Sequence, residues 1–307
     1  MWLFGLEKAK IALMNKKLYG VVLIVISSLL FGSYGVWAKF IGDDMGVFFQ
    51  AWSRGFIIVL ILFPVLYFKK LIVPIKKEDW SWMAIFLTFS SLTVASLFYA
   101  FTHMDIGTAT LLFFVSMLLT TYGVGFLFFG EKMSLVKILS FILACIGMYM
   151  IFAFSLVAFA LLAALMAMLN GVATGGEASF SKKLSGSYSA LYLTWLCWAA
   201  IAITNVIVSI FLGETQLVPS FDMVWVWQFA YTGAAMFGFW LLIEGFKYVE
   251  AGVGGLVGLL EIIFSIAFGI IFFNEALTIQ IVIGAILILI AASLPQLLEL
   301  YKKNVNL

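Results

Sequence analysis

Long apolar runs, divided by short polar punctuation, set the pattern of this chain. A bilayer core about 30 Å thick takes roughly 20 predominantly apolar residues per helix. Ten such runs can be marked, at 18–41, 46–68, 80–102, 105–129, 134–153, 156–181, 188–212, 223–246, 252–273 and 278–300. The pattern predicts an all-α integral membrane protein with ten transmembrane helices. The first run is too long for a signal-peptide core, lacks a small-residue cleavage pattern and ends in Lys39, so it is expected to be retained. Before it, Trp2, Leu6, Ala9 and Leu13 recur at helical spacing beside Lys8 and Lys10. Residues 1–17 are therefore expected to form a cytoplasmic or interfacial segment, either lying on the membrane surface or frayed.

The pattern also repeats. FFGEKMS at 128–134 returns as FFNEALT at 272–278, and an offset of 143 to 145 residues aligns much more than these loops. Gly32 meets Gly175, Lys39 meets Lys182, Trp52 meets Trp195, Phe101 meets Phe246, Asp105 meets Glu250 and Gly107 meets Gly252. The chain reads as two five-helix repeats, 18–153 and 154–300, with a cytoplasmic tail at 301–307. Five is odd, so the second repeat enters the membrane inverted. Two similar halves of opposite orientation can exchange an inward-open for an outward-open arrangement around a midplane site, which points to a secondary transporter.

Composition agrees: 65% of residues are hydrophobic, 10% are charged, and the mean hydropathy is +1.18. The net charge of +2 says little, but its distribution orients the chain. With a cytoplasmic N-terminus, the inner segments hold every lysine except Lys39, which predicts both termini inside the cytoplasmic membrane of a prokaryote. Cys145 and Cys197 fall within apolar runs and are expected to be packing residues rather than a disulfide.

With the two halves in view, FGSYGVWAKF in the first run, QAWSRG in the second, GLLE in the ninth and the repeated FFxE before Ser134 or Thr278 resemble the drug/metabolite transporter superfamily, EamA type. The resemblance covers nearly the whole chain. It implies a ten-helix transporter with a central cavity, and amino-acid export is among the family's activities. A proline commonly follows the ninth-helix glutamate in that family, where this chain has Ile262.

Ionisable groups within spans cost roughly 2.5 to 3.5 kcal/mol on insertion scales, so each is a candidate for function. Glu261 lies nine residues past Gly252, about 14 Å along a helix and near the midplane. It is the first candidate, for proton coupling or for holding a cation, against a structural role as a protonated, backbone-bonded acid. Arg54 lies about 12 Å deep, either to bind a substrate carboxylate or to neutralise a buried acid. Glu177, whose repeat mate is Tyr34, either faces a cavity or snorkels toward Lys182. It resembles, weakly, a substrate-facing glutamate of bacterial choline transporters. Glu244 is expected to form an interfacial pair with Lys247.

Trp52, two residues from Arg54 and repeated as Trp195, joins Tyr34, Trp37, Tyr99, Tyr122, Trp198 and Trp240 as candidates for the wall of a substrate site. Trp80, Trp82, Trp225 and Trp227 begin helices and are expected in the interfacial belt. Glu131 and Glu275 are expected to favour helix N-termini, with Ser134 and Thr278 capping the helices that follow.

The favoured function is transport of a small organic metabolite by alternating access. Acidic groups with aromatic walls suit an amine or choline-like cation; Arg54 suits an amino-acid carboxylate. No cofactor is expected beyond possible proton or ion coupling, the partners are a small-molecule substrate and the lipid bilayer, and no nucleic-acid contact is expected. A channel or ligand-sensing membrane protein is the alternative. An intramembrane enzyme would need a nucleophile with its base, or metal ligands, and the chain has one histidine, His103, at an outer loop. No nucleotide-binding loop is present to drive transport by ATP.

Overall fold

In the computed structural model, which describes residues 2–103, 106–152 and 161–305, the apolar runs are helices. In the first half, α1 (Trp2–Gly32) and α2 (Tyr34–Ile41) form one interrupted span, followed by α3 (Val47–Phe68), α4 (Trp80–His103), α5 (Ile106–Phe129) and α6 (Leu135–Phe152). The second half has α7 (Leu161–Leu184), α8 (Ala190–Phe211) and α9 (Met223–Phe246), then the interrupted span of α10 (Ala251–Gly258) and α11 (Leu260–Phe273), and α12 (Ile279–Val305). Among the described residues, nine spans are long and apolar enough to cross a membrane, and Ile279–Pro295 is a shorter apolar helix. The N-terminal segment is not a separate surface helix: α1 runs unbroken from Trp2 into the first span. The expected boundary between repeats, at 153 and 154, lies outside the described residues.

Each half packs mainly on the other. α7 lies against α4 and α5, and by the same rule α1 lies against α9 and α11. The first helix of each half thus sits on the third and fourth spans of its counterpart. α3 against α8, α6 against α12 and α5 against α10 join equivalent helices. The crossings depend on absent side chains. A Cβ on Gly32 would meet the Glu261 carbonyl at 3.0 Å and Phe264 Cβ at 2.8 Å, while one on its mate Gly175 would meet the Met117 carbonyl at 2.6 Å. α6 and α12 touch through Gly147 and Gly284, where a Cβ on either would come within 2.7 Å of the other's carbonyl.

The repeated loops share one backbone. α5 ends at Gly130 (φ 62°) and α11 at Asn274 (φ 52°), both left-handed. Glycine and asparagine are the residues that enter this region most cheaply, which explains why FFGE and FFNE differ at that position. The Glu131 amide then returns to the Gly125 carbonyl at 2.9 Å, and the Glu275 amide to the Gly269 carbonyl at 3.2 Å. Ser134 Oγ accepts from the Lys137 amide at 3.3 Å and Thr278 Oγ1 from that of Ile281 at 3.4 Å, as expected of the two caps.

The halves also differ. α7 packs on α9 and α10, and the mirror-related pairs, α1 with α4 and with α5, make no comparable packing among the described residues.

Candidate functional site

Two interrupted spans cross at the centre of the bundle. At Ser33 (φ −73°, ψ −10°) the amide is shared between the Leu29 and Leu30 carbonyls at 3.2 Å each, a local tightening that separates α1 from α2. At Leu259 the amide is likewise shared between Gly255 and Leu256, at 3.3 and 3.2 Å. The ninth span therefore tightens two residues before Glu261 although it contains no proline. Such interruptions at membrane depth are where secondary transporters place their binding sites.

Tyr34, the first residue of α2, stands edge-on to Tyr231 of α9 with ring centroids 4.7 Å apart. Arg54 of α3 is 6% exposed, with its guanidinium carbon 3.7 Å from the centroid of Tyr231 and 5.7 Å from that of Trp198. Its Nε and Nη1 are buried without an acceptor, and among the described residues no carboxylate pairs with it. The indole Nε1 of Trp198 is also buried without an acceptor. Three buried donor nitrogens, two on Arg54 and one on the neighbouring Trp198, thus lack a protein acceptor. A buried ion costs several kcal/mol unless it is paired, and a cation–π contact returns only about 0.5 to 2. The arrangement is one that an anionic group would stabilise.

Glu261 is half-buried on α11, makes no hydrogen bond or ion pair among the described residues, and is electrostatically linked to Tyr34, which also interacts with Arg54 and Cys197. Glu177 is buried and already engaged: Cys197 Sγ donates to its Oε1 at 3.0 Å. It does not snorkel toward Lys182, whose ammonium goes to Glu131. The contact has a symmetric logic, since Glu177 and Cys197 are the repeat mates of Tyr34 and Arg54. Gln228, one turn before Tyr231, braces the wall by donating to the Gln50 carbonyl at 2.8 Å and to Ser53 Oγ at 2.9 Å.

The structure thus groups Tyr34, Tyr231, Arg54 and Trp198, with Glu261 on α11, which packs on α2, and joins Glu177 to Cys197. Trp37 and Trp52 pack in the apolar cluster that holds Tyr231 and Tyr34, and Trp195 in that of Trp198, but the polar atoms of these and of Tyr99 are engaged away from Arg54. Trp52 bonds Gln216 of the loop after α8 at 3.1 Å, near the end of the bundle. Trp37 donates to Ser33 Oγ at 2.9 Å and stacks on Trp227 at 6.1 Å. Trp195 donates to the Val59 carbonyl at 3.2 Å and stacks on Tyr192 at 6.1 Å. Tyr99 stacks on His103 at 4.1 Å at the end of α4. Glu244 pairs with Lys247 at 3.9 Å and accepts from the Tyr248 hydroxyl at 2.9 Å.

Of the expected belt residues, Trp80 is exposed, but Trp225 is buried against Phe49 and Trp82 packs on Phe128 and Phe180. Helix starts here lie under neighbouring helices as well as at lipid, so position along a helix did not decide exposure. Sequence reasoning passed over Tyr231, although eight residues into α9 it lies as deep as Arg54 does in α3.

Among the described residues, nine spanning helices and one shorter apolar helix in two interleaved repeats, around a buried polar site, define a multi-pass membrane protein. The profile of the EamA-like transporter family matches residues 18–153 and again 161–294, and the chain belongs to that family. A crystal structure of another protein shares the fold, with a TM-score of 0.75 over 92% of this chain and 99% of that one, at 16% identity. None of the curated proteins matches the sequence.

Proposed function

We propose that this transporter moves a small organic metabolite bearing a carboxylate, an amino acid in the simplest case, across the cytoplasmic membrane by alternating access. The observation that carries the reading is the group of unused buried donors on Arg54 and Trp198. Arg54 would hold the carboxylate in a forked geometry, with Tyr231 and Tyr34 forming the wall. Glu261, half-buried and unpaired, would take the amine, or exchange a proton or ion that couples transport. The inverted repeats supply the two-sided access.

An organic cation is the second reading, and the same unpaired Glu261 favours it. Two of the three span-embedded carboxylates weaken it, because Glu177 is bonded to Cys197 and Glu244 to Tyr248.

Thermal denaturation of the purified protein against amino acids, choline and simple amines tests both. A ligand at 100 times its dissociation constant adds about 2.7 kcal/mol to the folded state. Stabilisation by amino acids that disappears in Arg54→Gln is expected. Stabilisation by choline or amines that survives Arg54→Gln and disappears in Glu261→Gln would replace the carboxylate with a cation.

A further inference from the structure

The unpaired donors of Arg54 have an unpaired acceptor near them. Gln228 of α9 is fully buried, and both hydrogens of its amide nitrogen are used: Nε2 donates to the Gln50 carbonyl at 2.8 Å and to Ser53 Oγ at 2.9 Å. A carbonyl oxygen only accepts, so the nitrogen must face Gln50 and the amide cannot be turned about. Both partners are themselves held. Ser53 Oγ donates to the Gln50 carbonyl at 3.4 Å, and Gln50 Nε2 donates to the Met45 carbonyl at 2.9 Å. What remains is Gln228 Oε1, buried and without a donor among the described residues. Such an atom destabilises the fold, and its place in the bundle gives it a use.

Gln228 lies one turn before Tyr231, whose ring centroid is 3.7 Å from the Arg54 guanidinium carbon, and its nitrogen is fastened to Ser53, the residue before Arg54. Three residues along a helix is a rise of about 4.5 Å, short enough for one small molecule to touch both levels. Two other buried amide oxygens lack a donor, on Asn170 and Asn205. Neither shares this position. Asn205 lies seven residues, about 10.5 Å, beyond Trp198 on α8, and Asn170 of α7 is fastened to the Thr93 carbonyl of α4.

We propose that Gln228 Oε1 is the second half of the substrate site, accepting from an N–H or O–H on the carbon next to the carboxylate that Arg54 holds. The substrate class narrows to α-amino or α-hydroxy carboxylates. A neutral amide oxygen reads a donor rather than a charge, so Gln228 does not require a cationic amine, and Glu261 is left to the proton or ion that couples transport. This assignment rests on the carboxylate reading of Arg54.

Two matched series separate donor from charge: alanine, lactate and propionate, and phenylalanine, phenyllactate and 3-phenylpropionate, each titrated against the purified full-length protein. Within a series the carbon beside the carboxylate bears an ammonium group, a hydroxyl or hydrogen alone. The hydroxy acid is expected to bind within about threefold of its amino acid, and the acid without a donor about tenfold more weakly than either, because it leaves the buried acceptor unpaired. In Gln228→Met, which keeps the side-chain length and removes the acceptor, the gap between hydroxy acid and plain acid should shrink to within about threefold; in Glu261→Gln that gap should persist. A hydroxy acid that binds no better than the plain acid, a gap that persists in Gln228→Met, or one that vanishes in Glu261→Gln would overturn the proposal. If Gln228→Met does not fold, the series in the parent and in Glu261→Gln decide it alone. Equal binding of all three acids, lost in Arg54→Gln, would remove Gln228 and keep the carboxylate reading. No binding of any acid, or binding untouched by Arg54→Gln, would remove both.

Discussion

At the residue scale, the tension lies in Arg54, a cation held out of water without an anion. Burial without pairing destabilises the folded state, so Arg54→Met should raise the melting temperature of the ligand-free protein while abolishing stabilisation by amino acids. A variant that lost both stability and binding would mean that Arg54 has a structural partner. Glu177→Gln should behave differently, because its carboxylate already accepts from Cys197; binding should stay within about threefold of the parent, read by titration. Counting residues from helix ends located Arg54 and Glu261, since depth depends only on rise per residue. It did not decide which aromatics face them. A tryptophan on an apolar helix packs equally well toward lipid or core, and Trp52, Trp37 and Trp195 each satisfy their indole nitrogens away from Arg54.

At the element scale, the two loops show what repetition in sequence does and does not reveal. Aligning FFGE with FFNE identified equivalent helix ends, and Glu131 does accept from a helix N-terminus, whereas Glu275, among the described residues, pairs with Lys39. The terminus that Glu131 serves, however, belongs to α10 in the other half rather than to the helix that follows it, and only tertiary packing determines that. The left-handed residue before each glutamate gives a local test. Asn274→Gly should leave thermal stability nearly unchanged, whereas Asn274→Val, with a β-branched side chain at φ 52°, should cost about 1 to 2 kcal/mol. Equal stability of the two variants would show that the loop relaxes out of that conformation.

At the scale of the whole molecule, the number of spans and the inverted repeat were legible because hydropathy and self-similarity are properties of the chain itself. The partners of each helix were not, because every apolar face suits any neighbour until the close-approach glycines choose. Those choices interleave the halves: α1 finds α9 and α11, and α4 and α5 find α7. Residues 1–153 expressed alone should therefore be degraded or aggregate, while co-expression with residues 154–307 should recover a complex that purifies as one species. Stable, monodisperse accumulation of the first half by itself would contradict this.

The same interleaving bears on biosynthesis. A ribosome delivers α1 to α6 before any of their principal partners has been translated, so for that interval the grooves at Gly32 and Gly147 must be filled by lipid or by the insertion machinery. Quality control meets this protein as an unfinished half-bundle, and mutations that slow synthesis of the second repeat would act on abundance before they touched transport.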